Sequence, residues 1–159
     1  MRQIDGTTCG PAVAVVGSAL IDPDYGARLD SDTWFADEQR RIHAMVNRMW
    51  PQSLGTTPAG IAQALSVHRP YRWRLFRGRR DSLSDVVSAV RRGRPVAMLI
   101  GNVIPRHWVL FIDINADEFS CYEPSSGEVR PCRFDAIRER RLVDLGFPRP
   151  FAFVLPKLA

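Results

Sequence analysis

The chain has 159 residues, of which 45% are hydrophobic and 25% charged, a make-up that fits one globular domain able to bury a core. No apolar run is long enough to span a membrane, and no basic segment followed by an apolar one precedes residue 9 as an export signal would. The net charge is +5 and the pI about 9.7, which favours acidic partners, yet the arginine clusters around residues 77–80, 91–94 and 138–141 lack aromatic interleaving and read as solvated faces, not as a nucleic-acid interface.

Gly10 to Leu20 is a run of small and β-branched apolar residues opened by Pro11, and it predicts a buried helix with Cys9 at its start. Asp22, Pro23, Asp24 and Gly26 mark a loop. Asp32 to Met49 carries Trp34, Phe35, Ile42, Met45, Val46 and Met49 at helical spacing, with Asp32 as its cap. Thr57 and Pro58 are a second cap and first-turn pair, ahead of Ile61, Ala62 and Leu65. YRWRLFR alternates arginine with aromatic and aliphatic residues, as a half-buried strand does. Asp81 to Arg92 predicts a helix capped by Asp81 or Ser82 and closed by Gly93.

The second half is strand-like. PVAMLIG, HWVLFIDI and EFSCYEP are short apolar or alternating runs, PSSG is a turn, PCRFDAIRERRL a short helix and FAFVLP a last strand. Helices first and an antiparallel sheet after them define an α+β domain over residues 1–159. Cys9, Cys121 and Cys132 are odd in number and widely spaced, without paired Cys/His ligand spacing, so no metal or organic cofactor is implied; one bridge, such as Cys121 with Cys132, would leave one free thiol, and three free thiols are the expectation.

A cysteine at a helix start has unpaired N–H groups beside it that favour a thiolate. It needs a base. His43 lies mid-helix and His68 at a helix end, whereas His107 opens a strand, where an imidazole is rigidly held and open to a cleft. Glu123 follows His107 by sixteen residues and returns beside it if the two strands pair, so its carboxylate can fix the imidazole tautomer. Asp113 is six residues along the same strand, about 20 Å away when extended. Gln3, six residues before Cys9, can hold a developing oxyanion together with the Cys9 N–H.

Gln3, Cys9-Gly10, His107-Trp108-Val109 and Glu123-Pro124-Ser125-Ser126-Gly127 resemble the papain-like cysteine peptidases, most closely the bacteriocin-processing, double-glycine leader peptidases and their standalone relatives. GTTPAGIAQAL and RRGRPVAMLIG extend the likeness over nearly the whole chain. The resemblance implies a papain-like fold and cleavage of a protein or peptide substrate after small residues such as Gly-Gly. Cys9, His107 and Glu123 would be catalytic, Gln3 the oxyanion donor, and Gly10 and Trp108 would line the cleft, with core packing the rival role for Trp108. Glu123 departs from the family's usual Asp by one methylene. The family's peptidases are commonly fused to an exporter. This chain begins just before Gln3, which suggests a domain cut or released from a longer polypeptide: a toxin domain acting in a target cell's cytoplasm and blocked by a cognate immunity protein would fit, and so would a small standalone enzyme. Two other classes compete with proteolysis: deamidation or acyl transfer on glutamine by the same Cys/His pair, and a non-enzymatic basic binding module, which leaves Gln3, Cys9, His107 and Glu123 unexplained.

Overall fold

The computed structural model describes residues 1–5, 8–46 and 56–157. Six helices and six strands make an α+β domain. The helices are α1 (Cys9–Ile21), α2 (Pro23–Gly26), α3 (Asp32–Val46), α4 (Pro58–Ser66), α5 (Ser84–Arg91) and α6 (Phe134–Arg138). The strands are β1 (Tyr71–Leu75), β2 (Val96–Gly101), β3 (Pro105–Asn115), β4 (Glu118–Glu123), β5 (Glu128–Arg133) and β6 (Arg149–Pro156). They form one antiparallel sheet in the order β1-β6-β2-β3-β4-β5.

Helix α1 is apolar on all sides because it is surrounded on all sides. Ala12 to Val15 are fully buried, and the helix packs on β3 while α3 and α4 flank it. Close approach is possible because Gly10 and Gly17 face α4: a Cβ on Gly10 would sit 2.6 Å from Thr56 Cβ, and one on Gly17 3.0 Å from Leu65. The opposite face of the sheet is covered by α5 and α6 through Val86, Val90 and Ile137. Strand β2 runs between β6 and β3 with both faces covered, which is why VAMLIG is apolar without alternation.

Several expectations need correcting. The loop expected at Asp22 to Gly26 is a helical turn, because the Asp22 side chain accepts from the Asp24 and Tyr25 N–H groups. Ser31, not Asp32, caps α3, its hydroxyl accepting from Trp34 N at 3.1 Å; the expected end at Met49 lies outside the described residues. Thr57 does cap α4, accepting from Gly60 N at 3.1 Å. Helix α5 begins at Ser84, after Leu83 in a left-handed conformation (φ 56°). Asp81 instead accepts from Leu83 N and Arg77 N. Pro131 and Cys132 belong to β5, not to a helix. Strand β5 is an edge, where a proline's missing N–H is tolerated. The three cysteines are free, as expected.

The largest inversion is in YRWRLFR. Arg74 is buried, while Trp73 and Leu75 are 47% and 64% exposed. The Arg74 guanidinium is held by Asp81 (2.8 and 3.1 Å) and by Asp85 (2.7 and 2.8 Å), and lies 5.0 Å from the centre of the Phe153 ring. Burial pushes both aspartates up, but Arg74 outweighs it and holds them below the usual carboxylate range. This network ties the edge strand β1 to the approach to α5. Arg74→Met should therefore cost about 3–5 kcal/mol in urea unfolding at neutral pH, because the buried Asp81 loses its cation and the half-buried Asp85 loses one of its two. A loss below about 1 kcal/mol would mean that the network is solvated and adds little.

Candidate active site

Cys9 is the first residue of α1, and the preceding Thr8 gives the helix no side-chain cap. The Thr8 hydroxyl instead accepts from Ile4 N and Asp5 N, both at 3.0 Å, and so folds the N-terminal arm back over the helix start. The free end of α1 is left beside the thiol. Burial raises the Cys9 pKa above its ordinary value; the N–H groups of Trp108, Gly10 and Cys9 itself oppose this without overcoming it. Helix α1 packs on β3, the strand that carries His107.

His107 lies opposite Ile100 next to an irregularity at Gly101. There the chain turns so tightly that a Cβ on Gly101 would fall on the Ile104 carbonyl. Its Nε2 is 2.6 Å from Glu123 Oε1, and both side chains are sealed from solvent. Glu123 ends β4, and the turn after it wraps the carboxylate: Ser125 N, Ser126 N and Ser126 Oγ donate to it at 2.9, 3.0 and 2.9 Å. Burial alone would raise the Glu123 pKa. The Ser125 N–H, the His107 imidazole and both Ser126 donors outweigh it and lower the value to about 2. Burial also lowers the His107 pKa, against the pull of Glu123. An ionised carboxylate can only accept, so Nε2 carries the proton and Nδ1 keeps its lone pair.

Gln3 sits on the arm. Its backbone N donates to Pro124 O at 2.8 Å, Ser125 Oγ donates to its Oε1 at 3.3 Å, and its Nε2 donates to the Asp5 carbonyl. The arm therefore binds the Glu123 turn directly. Tyr122 OH adds a bond to Met1 O at 3.0 Å. Gly127 (φ 74°) passes so close that a Cβ there would lie 2.5 Å from Met1 O. Gln39 is fully buried on α3 and completes the clamp, accepting from Ile4 N and donating to Arg2 O, both at 3.2 Å. Sequence reading missed Gln39, although its place between Phe35 and Ile42 on the buried stripe of α3 is a usable signal.

Trp108 does not line an open cleft with its side chain. It is 1% exposed, and its indole donates to Thr56 O at 2.8 Å. Gly10 is buried against Thr56 in the same place. His68 is a structural partner of Asp22 at 3.1 Å, and Asp113 pairs opposite Ser120, farther along β3. Among the described residues no group of His, Cys, Asp or Glu is placed to hold a metal ion, and no helix is long and apolar enough to cross a membrane.

Helices packed on an antiparallel six-stranded sheet in this way make a papain-like fold, and solved structures share that fold. The chain is similar to the peptidase domain of Streptococcus ComA, a bi-functional ABC transporter involved in a quorum sensing pathway (TM-score 0.58, 15% identity, covering 99% of this chain and 97% of that one). It is also similar to a double glycine motif protease from an AMS/PCAT transporter, solved in complex with the leader peptide (0.53, 14%, 99% and 90%), and to the peptidase domain of Streptococcus mutans ComA (0.52, 14%, 99% and 98%). The papain-like fold is thus shared across the full chain. No protein-family model and no curated protein matches it.

The depressed pKa of Glu123 fixes the sign of an acid effect. The folded protein releases this proton more readily than the unfolded chain, so the stabilisation is complete above the ordinary carboxylate value and is lost as pH falls towards 2. Wild type should lose about 2–3 kcal/mol from this group across that window. Glu123→Gln should be less stable at neutral pH and flatter below it. Denaturant unfolding at a series of pH values checks this, and parallel curves for the two proteins would refute it.

Proposed function

We propose that this protein is a cysteine peptidase in which Cys9 is the nucleophile, His107 the general base and acid, and Glu123 the group that orients the imidazole. The observation that carries the reading is the sealed His107–Glu123 hydrogen bond. It leaves Nδ1 as the acceptor, on the strand against which α1, the helix that Cys9 opens, is packed. The Cys9 proton passes to Nδ1 as the thiolate attacks the substrate carbonyl carbon. The oxyanion accepts from the Cys9 N–H and from Gln3 Nε2, which has a second N–H beyond the one given to Asp5. His107 then protonates the leaving amine, and a water deprotonated at the same nitrogen hydrolyses the acyl-enzyme. The favoured substrate is a peptide with small residues before the cleaved bond. Two things support this: the resemblance in the motifs, and a neighbour in the same fold that is a double glycine motif protease.

With the thiol pKa raised and the imidazole pKa lowered, the resting pair is neutral and the proton moves on attack. Cys9→Ala and His107→Ala should abolish cleavage, and Gln3→Ala should lower kcat about 10²–10³-fold. The decisive comparison is of new protein N-termini in cells expressing wild type or Cys9→Ala. New termini ending small-residue sites, confined to wild type, are expected. Identical termini, with a deamidation-sized mass change in an intact protein, would replace proteolysis with glutamine deamidation. In its deployed form the enzyme acts as a toxin held in check by an inhibitor over Cys9, so expression of wild type, and not of Cys9→Ala, should arrest growth.

A further inference from the structure

Strand β1 is the open edge of the sheet. Lys157 N donates to Pro70 O and Phe76 N to Phe151 O, both at 2.9 Å, so the even-numbered residues from 70 to 76 bond inward to β6. The N–H and C=O groups of Tyr71, Trp73 and Leu75 point outward. Ser66 Oγ accepts from Tyr71 N, and Arg74 donates to Leu75 O. The Trp73 N–H, Trp73 C=O and Leu75 N–H remain as ladder positions without a partner among the described residues. Proteins usually shorten, charge or cover such an edge. Here it carries exposed Trp73 and Leu75 on the α4 side.

On the α5 side the same edge borders a cavity of about 210 Å³ lined by Arg69, Arg72, Arg92, Arg94 and Lys157. Asp85 is the only carboxylate in its lining, and it is already engaged by Arg74 and Arg72. Arg69, Arg92, Arg94 and Lys157 have no carboxylate partner among the described residues. The edge therefore presents an apolar row on one face and a cationic row on the other.

We infer that β1 is a docking edge for an extended protein segment whose side chains alternate between apolar and acidic. Such a segment adds a seventh strand. Its backbone pairs with Trp73 and Leu75, its apolar side chains cover their rings and methyls, and its carboxylates enter the arginine cavity on the other face. The edge lies three strands from β3, about 14 Å, so this surface is separate from the candidate active site and does not depend on the peptidase reading.

The probe is a fluorescent seven-residue peptide of alternating Glu and Val, titrated against the full chain by anisotropy. One-to-one binding is expected, weakened at least about tenfold by high salt. A matching Lys/Val peptide should not bind. N-methylation of one alternate set of residues should abolish binding while N-methylation of the other set spares it, because one set alone faces β1. The double variant Trp73→Lys/Leu75→Lys, exposed at both positions, should melt like wild type and lose the peptide; if it melts early, the N-methylated peptides on wild type decide. Absence of binding, tolerance of both N-methylation patterns, or equal affinity for the Lys/Val peptide or a single-stranded oligonucleotide would overturn the proposal.

Discussion

A carboxylate and an imidazole, both buried, meet at 2.6 Å where β3 begins and β4 ends. Neither group is stable there alone. Burial disfavours both charges, so the carboxylate is ionised only because the Ser125–Ser126 turn and the imidazole supply donors. This constraint fixes much of the site: the tautomer of His107, the shape of the turn from Glu123 to Glu128, and Gly127 with its positive φ at the point where the N-terminal arm crosses. The arm then carries Gln3 to the turn and ends at the start of α1 through Thr8. One continuous set of hydrogen bonds thus links the carboxylate turn to the start of α1.

The arginine-rich composition divides into two kinds of residue. Arg74 is internal and structural, neutralised by two aspartates and stacked over Phe153. Near it, Arg69, Arg92 and Arg94 have no carboxylate partner among the described residues and gather at one end of the edge strand. The net charge of +5 is therefore not spread evenly. Part of it is concentrated where the sheet has open backbone groups, at the far side of the sheet from the thiol.

Much of the architecture was legible in the residues. Pro11 after Cys9, Thr57 before Pro58, Gly93 after α5 and the Ser125–Gly127 turn are local signals whose physics does not depend on the rest of the chain. The sixteen-residue spacing of His107 and Glu123 correctly brought the two groups together, because a hairpin register follows from chain length. What was hidden needed tertiary partners. YRWRLFR alternates perfectly, but alternation does not say which row faces inward. Asp81 and Asp85, beyond the strand at the approach to α5 and within it, put Arg74 inside and leave the tryptophan half exposed. Trp108 stood open between a cleft wall and core packing, and the Thr56 carbonyl decides for the core by giving its indole a buried acceptor. The Pro131 segment reads as a helix start until β4 supplies an edge on which it can lie.

In the proposed reaction Glu123 holds His107 as a neutral base whose Nδ1 lone pair accepts the Cys9 proton. The most direct test is ¹⁵N NMR of the His107 ring at neutral pH. A protonated Nε2 and an unprotonated Nδ1 are predicted in wild type, with that preference weakened in Glu123→Gln. A protonated Nδ1, or an imidazolium that persists through neutral pH, would contradict the account.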